Sequence, residues 1–109
     1  MPEKPVAWLG SSLADVRSFP KEARQEAGFA LDRIQQGGSP TDWKPMPSVG
    51  AGVNEFRIHA AGAFRVMYVA KFAEAVYVLH AFEKKSQKTS QRDIDLARRR
   101  YATIRRRGA

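Results

Sequence analysis

Arg57 and Arg65 stand on either side of the pair Ala61-Gly62, each inside a run that alternates apolar and polar residues. In 53–60, Phe56 and Ile58 face one way while Glu55, Arg57 and His59 face the other. In 63–72, Phe64, Val66, Tyr68 and Ala70 alternate with Arg65, Met67, Val69 and Lys71. Alternation at period two predicts strands, and Ala61-Gly62 predicts a tight hairpin between them. Both guanidinium groups then project from one face. Such a pair suits cleavage of a phosphodiester without a metal. When a ribose 2′-hydroxyl attacks the adjacent phosphorus, negative charge grows on the non-bridging oxygens, and a guanidinium fork holds and stabilises them. The plainer alternative is two solvated strand-face arginines with Glu55 as an ion-pair mate.

Further candidates lie nearby. Lys84 and Lys85 directly follow an apolar run, so their backbone is anchored while their ammonium heads can reach a phosphate; the alternative is a lysine pair that only marks a strand end. His59 and His80 are the side chains that titrate near neutrality. His59 shares its face with Arg57, whereas His80 shares parity with Val76, Val78 and Phe82 and is expected inside. Beyond them, Lys88, Arg92, Arg99 and Arg106 are candidate contacts to an RNA backbone, the three arginines being seven apart on one helical face. Asp95 near Arg92, Arg98 and Arg99 would make the same face an ordinary soluble one.

The charge is unevenly distributed. From Glu83 to the end there are ten cations against three anions; the preceding residues carry nine against eight. Most of the net +8 therefore sits in the last quarter, a local field that suits a polyanion. The composition excludes several classes. With no cysteine there is no disulfide framework and no thiolate site, and two histidines are too few for a typical structural zinc site, so no metal or cofactor is expected. No apolar run approaches a signal peptide or a membrane span, which predicts a cytoplasmic protein with no membrane contact. A chain of 109 residues predicts one domain, 1–109, able to bury a single core but not a deep enclosed pocket, which argues against a small-molecule substrate.

The elements that must position these groups can be read from spacing. Residues 4–9 predict a short strand, ended by Gly10. Ser11 or Ser12 can cap a short helix at 13–19. Pro20 opens a second helix to about residue 36, with Ala23, Ala27, Ala30, Leu31 and Ile34 on one face and Gly37-Gly38 as its stop. Phe29 lies off that face. Glycine- and proline-rich 37–52 predicts a loop pinned by Trp43 and Met46. After the two arginine strands, 75–82 is apolar at nearly every position, as in a central strand. Ser90 can cap a last helix that packs through Ile94, Ala97, Tyr101 and Ile104. The expectation is an α+β fold in the order β-α-α-β-β-β-α: a small twisted sheet of about four strands, a helical hairpin on one face, and Arg57, His59 and Arg65 displayed on the other as a shallow, open cationic surface.

Three runs in this order, GVNEFRI at 52–58, FRVMY at 64–68 and VLHAFEKKSQKT at 78–89, followed by the arginine-rich helix, resemble the phage-derived HigB-like branch of the RelE/ParE toxin superfamily. The resemblance spans roughly 8–104, and LHAFEKKSQKT is its specific part. It implies a RelE-like toxin of a type II toxin–antitoxin pair that enters the ribosomal A site, cuts mRNA by metal-independent 2′-hydroxyl attack, and is neutralised by a helix-turn-helix antitoxin. Carried over by position, Arg57 would contact the mRNA backbone and Arg65 would stabilise the phosphate. Lys85 would assist the leaving group or transition state, with Lys84 beside it. RelE has a tyrosine a few residues beyond that lysine position; 86–92 has none here, which leaves His59 as first candidate for the general base and Tyr101 as second. A ParE-like gyrase poison without chemistry, and a non-toxic basic nucleic-acid-binding phage protein, are the alternatives.

Overall fold

The computed structural model describes residues 3–108, with side chains through Ile104. The elements are β1 (Val6–Trp8), α1 (Ser12–Arg17), α2 (Lys21–Gln35), β2 (Trp43–Pro45), β3 (Val53–Ile58), β4 (Phe64–Val69), β5 (Val76–Glu83) and α3 (Gln91–Gly108). They form one five-stranded sheet in the order β1-β5-β4-β3-β2. β1 runs parallel to β5, and the other pairs are antiparallel.

Helices cover both faces. α2 buries Ala23, Ala27, Leu31 and Ile34 at helical spacing, and with Val16 and Phe19 they pack on Phe56, Ile58, Phe64, Val66, Tyr68 and Val78. The alanines bring the α2 backbone close to the sheet. Gly37, at φ +89°, and the Gly38 amide bonding to the Arg33 carbonyl at 2.8 Å end the helix. On the opposite face Ala97, Tyr101 and Ile104 of α3 pack on Val53, Met67, Val69 and Leu79. Burial of a side chain the size of Phe56 or Leu79 contributes about 1.5–3 kcal/mol. The Tyr101 ring packs against Gly50, where an added Cβ would meet it at 2.3 Å, and its hydroxyl donates to the Ala51 carbonyl at 2.6 Å.

Two expectations are corrected. The sheet has five strands rather than about four, because Trp43–Pro45 leaves the predicted loop to pair with β3. Its proline, Pro45, is tolerated because β2 is an edge strand. In that position Trp43 is half-exposed, while Met46 is the buried residue that pins the segment. The second face is also not open: the Ile94, Ala97, Tyr101, Ile104 stripe lays α3 across it.

α3 starts where Ser90 caps it. The Asp93 amide bonds to Ser90 Oγ at 3.2 Å, and Asp93 also meets His80 Nε2 at 2.6 Å, tying the first turn to β5. His80 is thus a buried tether, inside as expected, though a bulge in β5 puts it on the α3-facing side with Met67 and Phe82 rather than with Val76 and Val78. β5 bulges between Val78, paired with Tyr68, and His80, paired with Met67. The Leu79 carbonyl in that bulge accepts from Arg100 Nη1 at 2.9 Å, which makes Arg100 a structural arginine.

Candidate functional site

The hairpin register places Arg57 directly opposite Arg65. Directly paired residues share a face, so the two arginines leave the sheet on the same side, as the alternation predicted. The same register sets Glu55 opposite Met67, and β2 sets Lys44 opposite Glu55. Arg65 in turn faces Phe82 across β4 and β5, and the Lys84 amide bonds to the Ala63 carbonyl at 2.8 Å, just past the paired end of β5. Lys44, Glu55, Arg57, Arg65 and Lys84 therefore gather on one half of the face whose other half α3 covers.

Glu55 is the centre of this group. It is fully buried, and neither carboxylate oxygen has a hydrogen-bond partner. Arg65 Nε lies 3.6 Å from its Oε1, an ion pair without hydrogen-bond geometry. Burial pushes the Glu55 carboxyl above its ordinary pKa; Arg65, Lys44, Lys84 and Arg57, in falling order, pull it back. Lys84 is shifted in turn. Desolvation and then the Arg65 charge lower its pKa, with Lys44 and Arg57 acting in the same direction and Glu55 against them.

Arg65 departs from expectation. Instead of lying open on the surface it is 7 % exposed, because Phe82, the 84–87 loop and the carboxylate of Glu55 close around it. Its Nε and Nη1 have no hydrogen-bond partner. It forms the base of a shallow depression bordered by Ala63, Lys84, Lys85, Ser86 and Gln87. Arg57 is about one-third exposed, with Nη1 3.8 Å from Asp42 Oδ1. Asp42 Oδ2 lies 3.0 Å from His59 Nε2, so His59 reaches Arg57 through Asp42 and leans away from Arg65 toward α2.

The other predicted residues separate. Lys85 is exposed on the rim, 4.0 Å from Glu83, while Lys84 is the lysine turned toward the cluster. Lys88, Arg92 and Arg99 are exposed, the last two along α3. The Arg106 side chain lies outside the described residues. Tyr101 is packed under α3 with its hydroxyl bonded to Ala51, which excludes it as a base. The sequence reading gave Glu55 only the part of an ion-pair mate and missed Lys44 and Asp42. Alternation does signal Glu55, which shares parity with Arg57. Lys44 and Asp42 carry no such signal, since they sit among prolines where no period can be counted.

Among the described residues, no helix is long and apolar enough to cross a membrane, and no group of three or more His, Cys, Asp or Glu residues is placed to hold a metal. Residues 14–102 match the family model of the phage-derived Gp49-like proteins, and the chain belongs to that family, a RelE/ParE-like toxin family. No curated protein matches the chain.

Proposed function

We propose that this member of the Gp49-like toxin family is a ribosome-dependent mRNA endonuclease of the HigB-like kind, acting by metal-independent 2′-hydroxyl attack and held in check by an antitoxin. The observation that carries this reading is Arg65: a guanidinium with unspent donors at the base of a cationic depression, with Arg57 beside it. Buried donors without partners are costly, and an incoming phosphate oxygen would supply the missing acceptor.

The chemistry follows from the residues. Asp42 accepts from Nε2–H of His59, which leaves the lone pair on Nδ1. Nδ1 takes the proton of the 2′-hydroxyl as the oxygen bonds to phosphorus. Arg57 and Arg65 stabilise the charge that builds on the non-bridging oxygens. The bond from phosphorus to the 5′-oxygen breaks, and Lys84, whose lowered pKa makes it a readier proton donor than an ordinary lysine, protonates the leaving oxygen. The products are a 2′,3′-cyclic phosphate and a 5′-hydroxyl. Glu55 orients Arg65 from beneath. Lys85, Lys88, Arg92 and Arg99 extend the basic surface that would follow the RNA backbone on the ribosome.

The internal pairing of Arg65 with Glu55 favours a second reading, in which the pair is structural and the face only binds a protein target such as DNA gyrase. Induction of the chain without its antitoxin, followed by primer extension on translated messages, separates the two. The nuclease reading expects new 5′ ends within codons and their loss in Arg57→Ala. Intact messages with DNA damage would establish the gyrase reading instead.

A further inference from the structure

A second concavity lies on the opposite side of Arg57. It is a cleft of about 370 Å³ between α2 and the end of β3. Its floor is apolar, with Ala30, Phe56 and Ile58, and Phe29 stands at its wall 71 % exposed, the most exposed large apolar side chain among the described residues. Trp43, paired with Phe56 on the edge strand and so on the same face, is the other exposed aromatic. Arg33 sits on the rim, steadied by the neutral hydroxyl of Thr41 at 2.8 Å, so its charge is not spent on a carboxylate there. Arg57 and the His59 ring stand on the other side of the rim, both paired with Asp42, and Glu26 also lines the cleft.

An apolar centre ringed by mixed charge is the anatomy of a protein interface. A nucleic acid would bring its phosphates against Glu26 and Asp42 and would have no use for the apolar floor. A protein segment has use for both. The chain's +8 charge and the two rim arginines, Arg33 and Arg57, favour an acidic segment. Arg57 lines this cleft, and its charge is also felt at Glu55 and Lys84 of the neighbouring cluster.

We propose that the cleft between α2 and the end of β3 is the docking site of an acidic segment of the antitoxin, which sets a large apolar side chain against Phe29 and Phe56 and a carboxylate on Arg33 and Arg57. Docking there neutralises the toxin without entering the depression over Arg65: it engages Arg57 and covers His59. The neutralising step rests on the catalytic reading of those two residues; the docking itself does not.

The test uses the purified toxin–antitoxin complex and co-expression of the pair. Phe29→Asp replaces an exposed side chain outside the proposed chemistry, so the free toxin stays folded by circular dichroism and still arrests growth. Its affinity for the antitoxin falls at least about 30-fold, as expected for an interface hot spot, and the antitoxin no longer rescues growth. Arg33→Glu weakens binding as well. Hydrogen exchange in the wild-type complex slows at 26–33 and 56–59. Unchanged affinity in both variants, or protection confined to other segments, overturns the proposal. Loss of growth arrest in Phe29→Asp with antitoxin affinity intact also overturns it, and makes the cleft an RNA subsite. If wild-type toxin leaves messages intact yet Phe29→Asp loses the antitoxin, docking stands and the nuclease reading fails. If messages are cut and Phe29→Asp binds normally, the reverse holds.

Discussion

Removing Arg65 tests whether the charge cluster is built as described. Arg65→Ala strands a carboxylate that is fully buried and has no hydrogen bond to fall back on. Breaking a buried pair by deleting one partner typically costs about 3–5 kcal/mol. The low end, about 3 kcal/mol, applies here, because Lys44, Lys84 and Arg57 still act on Glu55 and because its carboxyl can take up a proton. In urea the midpoint would drop by roughly 1–3 M. The pH dependence has a definite sign. Burial already raises the folded-state pKa of Glu55 above its unfolded value, so protonation favours the folded state, and this contribution is present at low pH and lost as pH rises through the folded value. Loss of Arg65 raises that pKa further. The penalty of Arg65→Ala should therefore shrink between about pH 7 and about pH 5, toward the ordinary glutamate range near 4.3. The double substitution Glu55→Leu with Arg65→Met removes both charges and should recover most of the stability but none of the cleavage. Urea titrations at the two pH values, with primer extension on the folded double variant, give the answer. A cost below about 0.5 kcal/mol, typical of a surface position, refutes the buried-pair argument. A folded double variant that still cuts mRNA refutes the catalytic one.

Three further outcomes are expected. Lys84→Gln should lower cleavage by roughly 10²-fold or more and abolish the fall in rate at alkaline pH; because the Lys84 pKa is lowered, that fall in the wild type should begin below the ordinary lysine value near 10.4, and Lys84→Arg should bind mRNA yet fail to restore it. His59→Ala should reduce single-turnover cleavage about 10²–10⁴-fold with stability within about 0.5 kcal/mol, since its side chain is 64 % exposed, and Asp42→Asn should show a smaller loss; an active His59→Ala protein removes His59 as the base. Gly50→Ala should cost about 1–3 kcal/mol in urea unfolding by driving a methyl group into the Tyr101 ring, and its midpoint staying at the wild-type value would mean α3 is not seated as described.

Much of the fold was legible because the periods are clean. The Ala23, Ala27, Leu31, Ile34 face, the alternation around Arg57 and Arg65, and the Ala97, Tyr101, Ile104 stripe each point to one element and one buried side. The placement of the two arginines on one face followed from the alternation; the tight turn expected at Ala61-Gly62 did not form, since residues 59–63 connect the strands, and a two-residue turn there would have set Arg57 opposite Val66 rather than Arg65. What was not legible depends on contacts between distant segments. Trp43–Pro45 has too few residues to show a period and becomes a strand only because β3 offers it an edge. Parity gave the face of Arg65 but not its depth, which depends on Phe82 and the 84–87 loop closing over it. Which of Lys84 and Lys85 turns toward the cluster has the same origin: adjacent residues past a strand end point opposite ways, and the bond from the Lys84 amide to Ala63 fixes the strand end from which they project.

The pairing of β1 with β5 has a consequence for when this toxin becomes harmful. Val6 pairs with Val76, so β1 has no sheet neighbour until about 70 further residues have been made. Contacts this distant in sequence form late and slowly. Until β5 has been made the chain cannot close its sheet, and Lys84 and Arg65 are not yet assembled around Glu55, so the candidate site forms only after the strands that carry it have all been made.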